Sequence, residues 1–330
     1  MIRRVAPNGR DKMRFGFKAL LLACGLAIAC AGSVRADIAS QSTIQIVVPF
    51  NPGGSTDPFV RFLAEELQRK LGKPVIVVNK PGAGGIVGTA EVARGPANGS
   101  TLLFSSSSFL TGAAYNPKAA YNPVKDFKTI SVLGFNEFMI IGSPVAGVNT
   151  LDDLFAKNKA GRVVMSTAGV GSSTHFVGQM VSKELGLKPR ILHMKSSGEA
   201  MLEVIAGRAD YYVGSVGSSA PYLKGGRGKA VLYLGEGRRP EFPDVPSAAE
   251  KGFPEVEASQ WFGFFAPAGM SDADVNMLNR AVSEIMTSGR GKQVVADQSV
   301  RFEDWDAKRF QAYMDREFAT WQKLYAAGMQ

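Results

Sequence analysis

Short apolar runs alternate with amphipathic stretches along nearly the whole chain after residue 36, and this alternation is typical of α/β proteins. The apolar runs predict strands at 44–50, 74–78, 101–104, 163–166 and 210–213. The amphipathic stretches predict one helix that ends at Gly72, one that ends at Ala93, and others at 176–185, 199–206, 272–287 and 307–327. At roughly 150 residues per domain, the 330 residues are enough for two α/β domains.

The N-terminal segment has the pattern of a secretory signal. Basic residues precede an apolar stretch at 19–31, which is shorter than the roughly 20 residues that a membrane-spanning helix needs. Val34-Arg35-Ala36 then matches the small-x-small cleavage pattern. We therefore expect residues 1–36 to be a cleaved signal peptide and the mature chain to begin at Asp37 in the periplasm. An uncleaved helical anchor and a lipid attached at Cys30 are the alternatives.

The leader also contains both cysteines, Cys24 and Cys30, and most of the net charge of +9. The mature chain therefore has no cysteine for a disulfide, a catalytic thiolate or a metal site. Beyond residue 36 the chain has 31 basic and 28 acidic residues, and the densest basic run, 224–229, is a glycine-rich turn. A nucleic-acid partner would need a clustered basic patch, so none is expected.

Two Gly/Ser-rich loops each lie between a predicted strand and a predicted helix. The first loop spans residues 50–57 and the second spans residues 167–175. A helix N-terminus presents unpaired N–H groups and a partial positive charge, and glycines let a ligand approach the backbone. We interpret the two loops as an anion site that holds one carboxylate or phosphate from both sides. The alternative is that each loop is an ordinary capped turn, with Asp57 marking a helix start.

Other candidate motifs are weaker. The glycine-rich stretch 82–88 lacks the spacing and the later acidic residue of a dinucleotide site, so no nucleotide is expected. His175 and His193 are the only histidines, without the spacing of a zinc motif. We therefore expect no metal and no cofactor. A secreted serine hydrolase that uses Ser172 or Ser173 with His175 remains an alternative, although the chain lacks a G-x-S-x-G elbow.

Six segments carry a family resemblance in order along the chain. They are VPFNPGGSTD at 48–57, PGAGG at 81–85, GSTLL at 99–103, YNPVKDF at 121–127, PDVP at 243–246, and WFG with APAG at 261–269. With these segments, the chain resembles the extracytoplasmic solute receptors of the tripartite tricarboxylate transporter family, often called Bug receptors. One departure is Val213-Gly214, where the family usually has Phe-Asp, so an acidic side chain is missing from the implied site.

The resemblance implies a type II periplasmic-binding-protein fold, in which two α/β domains close over a ligand and are joined by a two-strand hinge. Domain 1 would be discontinuous, with residues 37–141 and 258–330, and domain 2 would span residues 142–257. The implied function is a receptor for a small organic acid, not an enzyme. Its partner would be a membrane permease or a sensor, and the receptor itself would be a monomer. A structural or adhesive exported protein is a further alternative, which predicts no polar cleft.

The resemblance and the two loops together give a set of candidate ligand-binding residues. Ser105 and Ser106 would supply hydroxyls, whereas Gly214, Ser215 and Trp261 would shape the far end of the site. Trp261 has core packing as an equal alternative. The full set is Phe50, Pro52, Gly53, Gly54, Ser55, Thr56, Asp57, Ser105, Ser106, Ala168, Gly169, Ser172, Ser173, His175, Gly214, Ser215 and Trp261.

Overall fold

The computed structural model describes residues 37–54, 56–116 and 118–326. The predicted signal peptide with its cysteines and the candidate residue Ser55 lie outside this description. The strands are β1 Ile44–Val48, β2 Val75–Asn79, β3 Thr101–Ser106, β4 Phe127–Gly142, β5 Val164–Thr167, β6 Arg190–His193, β7 Tyr211–Ser215, β8 Lys229–Tyr233 and β9 Ser259–Pro267. The α-helices are α1 Asp57–Leu71, α2 Ile86–Ala93, α3 Ser108–Tyr115, α4 Leu151–Lys159, α5 Ser173–Glu184, α6 Ser197–Ile205, α7 Val216–Lys224, α8 Asp272–Thr287, α9 Gly289–Asp297 and α10 Ala307–Ala326.

The elements confirm the α/β prediction. Each predicted strand is present within about two residues of its expected bounds, and Gly72 ends α1 in the left-handed conformation with φ 65°. The sequence analysis did not predict strands β4, β6, β8 and β9 or helices α3, α4, α7 and α9. Helix α3 begins in the serine run 105–108, and β4 mixes apolar residues with Lys128, Asn136 and Glu137, so neither segment has a clear period. Among the residues described, none of the helices combines the length and the apolarity needed to cross a membrane.

The strands form one mixed sheet in the order β2-β1-β3-β9-β4-β7-β5-β6, and β8 also pairs with β4. Strands β1, β2 and β3 are parallel, and so are β5, β6 and β7. Strands β4 and β9 run antiparallel to their neighbours between these two groups. The sheet therefore consists of two parallel α/β halves that are joined through a central antiparallel pair.

Strand β4 belongs to both halves of the sheet. Its first part, from Phe127 to Glu137, pairs with β9, whereas its last part, from Phe138 to Gly142, pairs with β7 and β8. We call the β1–β3 side with β9 the first half, and the β5–β8 side the second half. This passage of β4 between the halves matches the implied two-strand hinge, but the exact domain boundaries at 141/142 and 257/258 stay a prediction.

Both faces of the sheet are covered by helices, which explains why its strands are apolar on both sides. In the first half, Ile46 and Phe104 pack towards α1 and α8, whereas Val47 and Leu103 pack towards α3 and α10. In the second half, Ile140 and Val213 pack in a cluster that includes residues of α4 and α5. The opposite face of the second half packs against α6 and α7.

The C-terminal helix α10 packs on the first half through a buried carboxylate. Glu317 accepts hydrogen bonds from the indole N–H groups of Trp261 in β9 and Trp321 in α10. Phe310, also in α10, is fully buried against the Trp261 ring. Burial raises the pKa of Glu317, and the two indole donors partly offset that effect. The carboxylate thus ties the end of the chain to the central antiparallel pair.

We expect Glu317→Leu to lower the free energy of unfolding by about 2–4 kcal/mol, because it leaves the indole N–H groups of Trp261 and Trp321 without their acceptor. Urea denaturation monitored by circular dichroism measures this change. Glu255→Leu is the matched control, since Glu255 is exposed and forms no ion pair with any residue that the structure describes. Equal stabilities of the Glu317 and Glu255 variants would show that the buried carboxylate does not stabilise the fold.

Candidate functional site

A narrow polar cavity lies between the two Gly/Ser-rich loops, where the first and second halves of the sheet face each other. Its volume is about 10 Å³, which is room for about one water molecule. None of its described lining residues is charged, and six of the ten carry a hydroxyl group. The lining residues are Phe50, Gly54, Thr56, Ser106, Ser108, Ala168, Ser173, Thr174, Ser197 and Gln260.

Helices α1 and α5 begin at this cavity. Thr56 is the N-cap position of α1, and Ser173 and Thr174 form the first turn of α5; all three line the cavity. The first turn of an α-helix has N–H groups without partners inside the helix and a partial positive charge. The cavity is therefore suited to an anion although no lysine or arginine lines it.

The two sides of the cavity contact each other through hydroxyl groups. Ser108 Oγ of the first half accepts a hydrogen bond from the Ser173 N–H at 2.9 Å and lies 3.1 Å from the Ser173 hydroxyl. Thr111 donates to the Gly171 carbonyl at 2.9 Å. Asn51 in the first loop donates to Glu199 in α6. These hydrogen bonds hold the walls together and keep the cavity narrow.

The glycine-rich stretch 82–88, which lacked a nucleotide signature, has a packing role at this interface. Gly84 has φ 66°, and a Cβ atom built on it would lie 2.0 Å from the Val170 carbonyl oxygen. Gly169 has φ 128° and packs against Gly84 from the other side. Only glycine allows these two backbones to come so close. The stretch therefore lets the first half dock onto the second loop.

Six of the predicted residues line the cavity, and most of the others lie near it with different contacts. The lining residues are Phe50, Gly54, Thr56, Ser106, Ala168 and Ser173. Pro52 and Gly53 are exposed neighbours in the first loop. Asp57 forms an ion pair with Arg61 at 2.9 Å. Gly169 lines an adjoining cavity.

Four predicted residues have structural contacts of their own. Ser172 is the N-cap of α5, where its Oγ accepts from the His175 N–H and donates to the Gly169 carbonyl. The Trp261 indole points into the core towards Glu317, so the neighbouring Gln260 faces the cavity. Gly214 leaves space for the Tyr212 ring, and Ser215 bonds to Ser218. Of the expected sites, Ser105 is buried in β3 and does not line the cavity.

Sequence reasoning missed Ser108, Thr174, Ser197 and Gln260. Ser108 lies two residues after the predicted Ser106, at the end of a run of four serines, and Thr174 lies inside the loop 167–175. Gln260 could have been found from strand alternation, because a residue next to a core tryptophan points to the opposite face of the sheet. Ser197 opens α6, whose N-terminus contacts the first loop near Gly54. That contact between distant segments has no local sequence signal.

His175 does not have the surroundings of a catalytic base. Its Nδ1 accepts the Gly171 N–H at 3.1 Å, and its ring packs against Tyr115, Phe176 and His193. Burial lowers its pKa to about 4, with a smaller contribution from His193. No described carboxylate orients the ring, so the geometry does not support a hydrolase triad.

The buried, neutral His175 makes stability depend on pH. The unfolded chain has a histidine pKa near 6.5, so between about pH 6.5 and 4 the unfolded state binds a proton that the folded state does not. Stability therefore falls as the pH drops through this window. His175→Asn keeps an acceptor for the Gly171 N–H, and we expect it to remove about 1 kcal/mol per pH unit of this dependence between pH 6 and 5.

Urea denaturation at pH 7, 6 and 5 measures the two slopes. His193→Asn is the comparison variant, and we expect a smaller change because that ring is exposed. A His175 variant with the same pH dependence as the wild-type protein would show that the buried ring does not cause it.

Comparison with known proteins places this chain in one family. Residues 59–327 match the model of the tripartite tricarboxylate transporter family receptor, TctC. Protein BugT of Bordetella pertussis is 35% identical over 276 residues, which cover 82% of this chain and 85% of that protein. The solved structure of the periplasmic binding protein BugD is similar with a TM-score of 0.82 and 26% identity, over 86% of this chain and 97% of that one.

A second solved structure, MatC from Rhodopseudomonas palustris with bound malate, is similar with a TM-score of 0.81 and 27% identity, over 85% of this chain and 98% of that one. These neighbours confirm the predicted binding-protein fold. The family consists of substrate-binding receptors, so the prediction of a receptor is confirmed and the serine hydrolase alternative has no support. From the match over residues 59–327 and the relatives that cover most of its length, the chain belongs to the TctC family of tripartite tricarboxylate transporter receptors.

Proposed function

We propose that this protein is a periplasmic receptor that binds a small organic acid, with one carboxylate held between the N-termini of α1 and α5. The carboxylate would be passed to a membrane permease or would signal through a sensor. Export would depend on residues 1–36, with cleavage before Asp37, and the receptor would act as a monomer. The observation that carries the proposal is an uncharged, hydroxyl-rich cavity at two helix N-termini.

The chemistry of the cavity supports a carboxylate as the ligand. A carboxylate that leaves water needs several hydrogen-bond donors to replace its hydration. Thr56, Ser173 and Thr174 offer hydroxyl groups around the two helix starts. A carboxylate oxygen could also take the place of Ser108 Oγ as the acceptor for the Ser173 N–H. The bound malate in MatC, a relative of similar fold, is in keeping with an organic acid.

A cavity of about 10 Å³ is too small for an organic acid, so the two halves must part before the acid enters. Strands β4 and β9 are the elements that connect the halves, and they are the natural place for this bending. The hydroxyl contacts between Ser108 and Ser173 and between Thr111 and Gly171 would break on opening. Closure would then bring the starts of α1 and α5 back towards each other around the bound carboxylate.

Two neighbouring serines distinguish binding from folding at this site. We expect Ser173→Ala to weaken acid binding by about 10- to 100-fold, because a hydrogen bond to a charged group contributes about 1.5–3 kcal/mol. Ser172→Ala should instead lower stability by about 1 kcal/mol through loss of the α5 N-cap, with little change in affinity. A thermal-shift screen of mono- and dicarboxylates identifies the acid, and calorimetric titration compares the variants. Wild-type affinity in Ser173→Ala would place the carboxylate elsewhere.

A pair of glycine variants tests the closed contact between the loops. Gly84→Ala places a Cβ atom 2.0 Å from the Val170 carbonyl, whereas Gly186→Ala meets no atom within 4 Å at a nearly equal φ. Both variants carry the same backbone strain, roughly 1–2 kcal/mol. We expect only Gly84→Ala to lose acid affinity by more than tenfold and to stay expanded in small-angle X-ray scattering with the acid present. Equal behaviour of the two variants would show that docking at Gly84 is not needed for binding.

A further inference from the structure

A second cavity adjoins the first one and is much larger, at about 200 Å³. We call it the side cavity. Phe50 and Ala168 line both cavities, so these two residues lie between the two spaces. The backbone of 82–85 from the first half and of 168–170 from the second half forms most of its walls. A ligand whose carboxylate lies at the helix starts could therefore extend into it.

The side cavity has a different chemistry from the first cavity, because His193 and Lys195 line it and no acidic side chain does. The ammonium group of Lys195 has no ion-pair partner in the part of the chain that the structure describes, and this residue is exposed. The nearby carboxylate of Glu199 is engaged by the Lys195 backbone N–H and by Asn51. Glu199 thus makes its hydrogen bonds to neutral donors, and no described carboxylate forms an ion pair with Lys195.

A hydrogen bond to Thr167 holds the ring of His193, which lines the side cavity together with Lys195. Thr167 Oγ1 accepts the Gly169 N–H at 3.3 Å and lies 2.8 Å from His193 Nδ1. In the tautomer in which Thr167 donates to Nδ1, the neutral ring carries its proton on Nε2. In that tautomer His193 offers an N–H donor beside the Lys195 cation.

We propose that the side cavity is a second acid subsite, in which Lys195 and His193 bind the distal carboxylate of an elongated dicarboxylate. The inference rests on the proposed function, because the first carboxylate of the same ligand would lie at the starts of α1 and α5. The first carboxylate meets only neutral donors there, whereas the distal one meets a full positive charge. These two side chains would thus determine the preference for dicarboxylates over monocarboxylates of equal length.

Calorimetric titration with pairs of acids of equal length tests this subsite: succinate with butyrate, glutarate with pentanoate, and adipate with hexanoate. We expect the wild-type protein to bind at least one dicarboxylate about tenfold or more tightly than its matched monocarboxylate, the size expected of a charge-assisted pair. Lys195→Gln should remove most of that preference and leave monocarboxylate binding within about twofold. His193→Leu should reduce the preference, and His193→Gln, which keeps an N–H donor, should restore part of it. Lys224→Gln, at an exposed lysine at the end of α7, is the control and should change neither series.

The monocarboxylate series reports on the first cavity alone, so the outcomes separate the two proposals. A wild-type protein that binds both acids of every pair equally well would overturn the second subsite and leave the receptor function standing. The second subsite would also be overturned if Lys195→Gln kept the full preference for dicarboxylates. The same holds if that variant lost affinity equally for the dicarboxylates and the monocarboxylates. Binding of neither series to the wild-type protein would defeat the receptor function and this inference with it.

Discussion

The antiparallel pairing of β4 with β9 is the interaction on which the rest of the molecule depends. Nine residue pairs join these strands, from Phe127 with Pro267 to Glu137 with Ser259. β9 continues the pairing to β3, and β4 continues it to β7 and β8. Two register shifts interrupt the ladder, and at one of them Gly134 has φ 136° and lies against the Arg301 backbone. The two parallel halves thus share a ladder whose irregularities bend it.

The location of the candidate site follows from this arrangement. In each half, the parallel strands end next to the start of a helix, so helix N-termini lie at the carboxyl ends of the strands in both halves. When the central pair brings the halves face to face, α1 and α5 begin on opposite sides of one cavity. The fold fixes the partial positive charges of the peptide groups at the helix starts, and these charges attract an anion. A buried lysine would do the same, but removing its charge from water would cost free energy.

Much of this organisation could be predicted from the sequence, because it has local signals. The strands, the glycine that ends α1 and the two loops follow from hydrophobic pattern and loop composition. The direction of individual side chains could not be predicted in the same way. Ser172 and Ser173 are adjacent and equally polar, but Ser172 caps the start of α5 whereas Ser173 lines the cavity. The inward turn of Trp261 depends on Glu317, a residue 56 positions away in the chain.

The three tryptophans lie near the buried Glu317 carboxylate or the central strands, and this position affects what the fluorescence of the protein reports. Trp261 and Trp321 both donate to it, and the Trp305 ring packs on Phe135 in β4. Trp321 also contacts Phe176 of α5, which lies in the second half. No described residue that lines either the first cavity or the side cavity is a tryptophan. The intrinsic fluorescence of this protein therefore monitors the connection between its halves, and a colourless acid that binds in the cleft would be visible through the bending that it causes.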